Sequence, residues 1–225
     1  VIVPVAVLFS LAAWLVTPAQ HVRKNRQLIF TRPNMLLSWL MAIQFSVGLA
    51  LSAFVTFLPT FATLQEMPLA QAGTLIAVFG ITGMLSRIIL TPLGNKFSDE
   101  SHLLFALIAI AAGAIMLTMQ AGPGSHGYLW AGAIGMGMSA VATNAIAMSM
   151  LIRDSAFGRV TETSGYVSFA FFSGFALGPP LYGQLFSQTG SVSFAWSLLT
   201  GVLCLACIMT LRLTAVRKRR SHVSV

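Results

Sequence analysis

The sequence predicts an all-α protein that crosses a membrane several times. Five stretches contain no charged residue, and each is at least as long as the roughly 20 largely apolar residues that a helix needs to span a bilayer. Charged residues make up 8% of the 225-residue chain and hydrophobic residues 56%, which is typical of a protein whose solvent is mostly lipid. The uncharged stretches are residues 1–22, 33–65, 67–86, 101–152 and 163–211.

Turn-forming residues divide the two longest stretches, so we expect seven membrane segments. Residues 121–127 contain three glycines and a proline, and residues 187–191 break the next apolar run in the same way. The first segment is short for a span and Val1 is not an initiator methionine, so we expect a fragment cut within a helix. The predicted segments are residues 1–17, 35–60, 69–93, 102–120, 128–151, 162–186 and 192–212.

The 13 Lys and Arg residues lie in or beside alternate gaps between these segments. Cytoplasmic loops retain basic residues and translocated loops lack them, so we expect these gaps and the C-terminus to face the cytoplasm, with Glu66 outside. The net charge of +8 then faces anionic lipids, which the cluster from Arg217 to Arg220 is expected to contact as an anchor. No soluble domain is predicted that would bind nucleic acid. Short loops and the absence of an Asn-x-Ser/Thr sequence favour a prokaryotic cell membrane.

The sequence predicts no enzyme, cofactor or metal site. The acidic residues other than Glu66 lie at the predicted cytoplasmic face, and the histidines lie in gaps or in the tail, so no catalytic group is expected at depth. Cys204 and Cys207 share a helix face but lack a second ligand pair, which favours a packing role. A retinal protein would need a lysine within its last helix, and no segment here contains one.

Two motifs resemble those of major facilitator superfamily transporters. Residues 171–196 are similar to helix 11 and the start of helix 12, most closely in monocarboxylate and related organic-anion porters, although Ser187 replaces an acidic residue. Residues 86–98 resemble the loop between helices 8 and 9, with Asn95 and Lys96 in place of Asp and Arg. In the family this loop latches neighbouring helices by charge pairing, and the neutral Asn95 implies a weaker latch. The matching helix 11 residues are Gly174, Gly178, Pro179, Pro180, Gly183, Thr189, Gly190 and Ser191.

The resemblance implies that the chain is the C-terminal half of a twelve-helix carrier. Residues 1–17 would end helix 6, residues 18–34 would form the cytoplasmic loop between the halves, and residues 35–213 would form a six-helix bundle before the basic cytoplasmic tail at 214–225. Its partners would be the missing N-terminal half, the lipid bilayer and a small-molecule solute. The family places the solute near mid-membrane between the halves and moves it by alternating access.

Polar residues on the helices that the family uses to line this path are the candidate solute ligands. A buried amide without a partner costs about 2 to 7 kcal/mol, so Gln44 and Asn144 are the most informative, with hydrogen bonding between helices as an equal alternative. Arg87 is either a ligand for a carboxylate or a cation whose side chain extends to the interface. The candidates are Gln44, Arg87, Thr143, Asn144 and Ser173.

The predicted function is secondary active transport of a small solute, with an organic anion as the leading class. An exporter of hydrophobic compounds and a non-transporting membrane interaction protein remain alternatives. Pro179 and Pro180 are expected to kink or interrupt their helix and serve as a gating or structural element, as is Gly183. Small residues that let helices approach closely are Gly80, Gly83, Gly132, Gly135, Gly137, Gly174 and Gly178.

Overall fold

The part of the chain that the structure describes is a bundle of six long helices. A computed structural model describes residues 34–94 and 100–223, and within these ranges there is no strand. The predicted all-α, polytopic fold is confirmed, whereas the segment at residues 1–17 and the loop residues Asn95 and Lys96 lie outside the described residues. The helices are α1 (Met35–Leu64), α2 (Leu69–Gly94), α3 (Glu100–Met119), α4 (Gly127–Arg153), α5 (Val160–Thr189) and α6 (Val192–Val223).

The helix ends follow local signals in the sequence. Asn34 caps α1 by accepting a hydrogen bond from the Leu37 N–H at 2.8 Å, and Gly190 ends α5 in the left-handed conformation with φ of +62°. The exception is α6, which continues beyond the predicted end at residue 212 as far as Val223. No Gly or Pro follows Gly201, and Arg and Lys near a helix C-terminus complement its dipole, so nothing ends the helix earlier.

Five of the six helices are long and apolar enough to cross a membrane. The sixth, α5, has sufficient length but is less apolar, because it contains several Gly, Ser, Thr and Pro residues. We infer that α5 also crosses, since only Gly190 and Ser191 separate it from α6. The helix continues through Pro179 and Pro180, so of the two expected effects, a kink or an interruption, the interruption does not occur. Neighbouring helices can hold a membrane helix together at proline.

Close contact between α1 and α5 depends on glycine. A Cβ atom added to Gly174 would collide with the carbonyl oxygen of Phe45, and one added to Gly178 would collide with the carbonyl oxygen of Leu49. On α1, Gly48 likewise lies against the backbone of α5. Because residues 45 and 49 face residues 174 and 178 in the same order, the two helices run parallel. Gly183, by contrast, makes only an ordinary contact with α1.

The α2–α4 pair is built in the same way. A Cβ atom on Gly137 would lie 2.6 Å from the carbonyl oxygen of Phe79, and one on Gly83 would lie 3.1 Å from the Val141 side chain. The order of these contacts makes α2 and α4 parallel. A Cβ atom added to Gly80 would meet no atom of the described residues within 4 Å, so Gly80 does not mediate a close contact between the described helices. Gly132 and Gly135 lie against α3.

We expect Gly174→Ala to lower the free energy of unfolding by about 1 to 3 kcal/mol, because the added methyl group would force the α1 and α5 backbones apart. Thermal unfolding of the purified protein in detergent measures this loss. Gly165→Ala is the matched control, because Gly165 lies on the same helix and faces open space. It should leave stability unchanged or raise it by up to about 1 kcal/mol. Equal losses from both substitutions would contradict the role of Gly174.

Candidate solute-binding site

Gln44 joins α1 to α4 at a completely buried position. Its side-chain Nε2 donates a hydrogen bond to the backbone carbonyl oxygen of Thr143 at 3.3 Å, and the Gln44 side chain has no exposed surface. A carbonyl oxygen can only accept, so this bond fixes which end of the amide faces α4. The Oε1 atom of Gln44 therefore points elsewhere, and it is buried without a hydrogen-bond partner among the described residues.

Asn144, the residue after Thr143 on α4, also has a buried amide oxygen without a partner. Its Oδ1 atom is buried without a partner in the described ranges, although the residue as a whole is partly exposed. Leaving a buried acceptor without a donor costs about 1 to 3 kcal/mol. Two such oxygens lie on the neighbouring helices α1 and α4. Polar groups are therefore present at this position although they lower the stability of the fold.

Helix contacts place Ser173 and Arg87 at the same distance along the bundle. Gly174 lies on Phe45, which brings the adjacent Ser173 level with Gln44. On α2, Gly83 lies against Val141, so Arg87, one turn later on a parallel helix, is level with the residues around Asn144. We call this set the polar level; its members are Gln44, Arg87, Thr143, Asn144 and Ser173.

Arg87 differs from its neighbours at the polar level in being exposed and charged. It forms no ion pair within residues 34–94 and 100–223, and these ranges hold no other charged side chain at this level. The arrangement can therefore present one cation, amide groups and hydroxyl groups to a solute between helices. In the same ranges, no cluster of three or more His, Cys, Asp or Glu could hold a metal ion.

A second polar cluster, which the sequence analysis missed, lies at the end of the bundle where α3 begins and α4 and α6 end. We call this the basic end. Glu100 is buried there, accepts a hydrogen bond from the Ser149 hydroxyl at 2.6 Å, and lies 3.3 Å from the Arg153 guanidinium. Charge pairing between Glu100 and Arg153 thus links α3 to α4. The expected latch involved Asn95 and Lys96, which lie outside the described residues.

Arg217 completes this cluster from α6. Its Nε lies 2.9 Å from the Asp154 carboxylate, and a terminal guanidinium nitrogen donates to the Ser101 hydroxyl at 2.6 Å. The expectation that Arg217 serves as a lipid anchor is wrong, because its guanidinium is turned onto α3 and the end of α4. The available signal was that all acidic residues except Glu66 fall in gaps that also carry basic residues.

Aromatic rings pack together towards the opposite end of the bundle, which carries Glu66. Trp196 of α6 is fully buried, and its ring centroid lies 5.4 Å from those of both Phe54 and Tyr182. Edge-to-face ring pairs at this separation are favourable. The His126 ring also bonds to the carbonyl oxygen of Gln65 at 2.9 Å, which ties the α3–α4 connection to the end of α1.

Apolar helices around an internal polar level form the arrangement of a membrane transporter. The sequence matches the Major Facilitator Superfamily over residues 1–179 of 225. The chain therefore belongs to this superfamily. It is a multi-pass membrane protein that functions in membrane transport. Membership of a transporter family is consistent with the prediction that the chain is not an enzyme. The matched region includes all five residues of the polar level. No curated protein sequence matches the chain.

We expect Arg217→Ala to reduce the free energy of unfolding by about 2 kcal/mol, because it leaves the partly buried Asp154 carboxylate and the buried Ser101 hydroxyl without this donor. Thermal unfolding in detergent measures the effect. Adding Asp154→Ala to Arg217→Ala should cost less than the sum of the two single substitutions. Arg212→Ala, at an exposed position on the same helix, is the control and should change little. Strict additivity would argue against the Arg217–Asp154 pair.

Proposed function

We propose that this chain forms the C-terminal six-helix half of a secondary transporter that carries a small organic anion by alternating access. The observation that carries the proposal is Arg87, an exposed cation level with buried amides and without an acidic partner in the described ranges. Arg87 lies three residues before the end of the apolar span Leu69–Leu90, and a charged residue within a membrane span is a candidate for a functional role. A carboxylate is the natural partner of a guanidinium, which binds it with two parallel hydrogen bonds.

The surrounding residues support the same solute class. Gln44, Thr143, Asn144 and Ser173 occupy three further helices at the level of Arg87 and offer neutral polar groups that could orient a solute once its charge is bound. The described residues place no carboxylate there that would repel an anion or compete for Arg87. The organic-anion class also agrees with the resemblance of α5, from Gly174 to Gly190, to helix 11 of such porters.

The second half of the carrier is proposed to be a six-helix N-terminal bundle. In this arrangement residues 1–17 end its last helix, residues 18–34 join the halves, residues 35–213 form the bundle described above and residues 214–225 form the tail. The helix α2 is the least buried of the five apolar helices, which leaves the helix that carries Arg87 free to face another bundle. We further propose a cell-membrane location with the basic end in the cytoplasm, because the basic residues gather there.

We expect Arg87→Ala to reduce uptake of organic anions at least about 30-fold, since truncating one partner of a desolvated charge pair costs 2 kcal/mol or more. The measurement is uptake of radiolabelled small carboxylates by vesicles containing the full-length carrier. Arg87→Lys should retain part of the rate, because the charge remains but bidentate binding does not.

Arg212→Ala is the control for loss of positive charge, since Arg212 is exposed on α6 and lies outside the polar level. Its uptake rate should equal that of the unmodified carrier. An unchanged rate in Arg87→Ala would show that Arg87 only extends to the membrane interface and would remove the main support for an anionic solute. Transport of lipophilic cations with no uptake of carboxylates would favour an exporter of hydrophobic compounds instead.

A further inference from the structure

The connection between α3 and α4 is tied to the end of α1 by His126. Its Nε2 lies 2.9 Å from the backbone carbonyl oxygen of Gln65. A carbonyl oxygen can only accept, so Nε2 carries a hydrogen and Nδ1 is the nitrogen that gains a proton in acid. The connection is itself ordered, because the Ser125 hydroxyl accepts a hydrogen bond from the Gly122 N–H at 2.8 Å. His126 therefore links α1 to the paired helices α3 and α4.

The carbonyl that His126 reaches lies at a helix end. Gln65 caps the C-terminus of α1, where the carbonyl groups carry the negative end of the helix dipole. Among the described residues, no backbone N–H donates to the Gln65 carbonyl. Glu66 is the next residue; it is exposed and forms no ion pair in residues 34–94 and 100–223. The α1 end and this carboxylate both favour a positive charge on His126.

One influence opposes that charge. His126 directly precedes α4, and a helix N-terminus carries the positive end of its dipole. This influence is present whether or not His126 contacts Gln65, whereas the favourable influence of the α1 end requires the contact. The other titratable groups towards this end are the tyrosines Tyr128 of α4 and Tyr182 of α5, and tyrosine is ordinarily neutral below about pH 10. The described parts of α2, α3 and α6 contribute none there.

We propose that the His126–Gln65 hydrogen bond is a pH-sensitive clasp between α1 and the α3–α4 connection. A charge-assisted hydrogen bond is roughly twice as strong as a neutral one. Because opening the contact removes groups that favour the cation, acid strengthens the clasp. The gain disappears as the pH rises through the range of about 5 to 8 in which histidine ordinarily titrates. The inference adds pH control of how readily α1 separates from α4 on the Glu66 side, and it does not depend on the solute.

Cysteine labelling of the full-length carrier in detergent tests the clasp. The reporter is Met67→Cys, because Met67 is 3% exposed and lies two residues beyond Gln65. The reference is Leu69→Cys, at a position that is 78% exposed, and all other cysteines are replaced by alanine. Dividing one labelling rate by the other corrects for the effect of pH on thiol reactivity. We expect this ratio to be about fivefold lower at pH 5.5 than at pH 8, the difference between a charged and a neutral hydrogen bond.

Three variants separate the clasp from other pH effects. His126→Gln should abolish the pH dependence, because glutamine keeps an N–H donor but does not titrate. Glu66→Gln should reduce the dependence, because it removes the neighbouring negative charge. His102→Gln is the matched control, since His102 lies on α3 at the basic end, and it should preserve the dependence.

An equal labelling ratio at both pH values, or a pH dependence that persists in His126→Gln, would overturn the inference. Ala121→Cys, which lies on the α3 side of the contact and is 9% exposed, replaces the reporter if Met67→Cys does not fold. Labelling requires no transport, so failure of the clasp is distinguishable from failure of the proposed function.

Discussion

The bundle depends on the glycine positions at which two helix backbones touch. At Gly174, Gly178 and Gly137 there is no room for a side chain, so each contact fixes both the separation of two helices and their relative position along the axis. In a membrane, where lipid is as apolar as the helix surface, such close packing replaces the hydrophobic effect as the main source of association. The polar level follows from this registration, because Ser173 and Arg87 are placed by glycine contacts adjacent to them or one turn away.

The last helix is held at both ends by different chemistry. At the Glu66 end the buried Trp196 packs against rings of α1 and α5, and at the basic end Arg217 bonds to Asp154 and Ser101. Between these points α6 packs against α3 and α1 and contributes nothing to the polar level. This division leaves α1, α2, α4 and α5 as the helices that present polar groups, while α3 and α6 brace them.

Sequence reasoning could predict whatever a short segment determines on its own. Apolar length and turn residues such as Gly190 located the helices, and polarity within an apolar run singled out Gln44 and Asn144 as candidates whose roles remain predictions. It failed where the answer depends on a distant segment. The open space beside Gly80 and the pairing of Arg217 with Asp154 depend on which helices are neighbours, and a single sequence does not specify them.

The parallel pairing of α1 with α5 has a consequence for biosynthesis. Three whole helices lie between them in the chain, so α1 must be inserted and must wait in the bilayer, with the groove around Gly48 open to lipid, until α5 is translated. The α2–α4 pair, separated by a single helix, can close first. Assembly of this half should thus proceed from a middle pair outwards, and the contact of Gly48 with α5 can close only after α5 has been inserted.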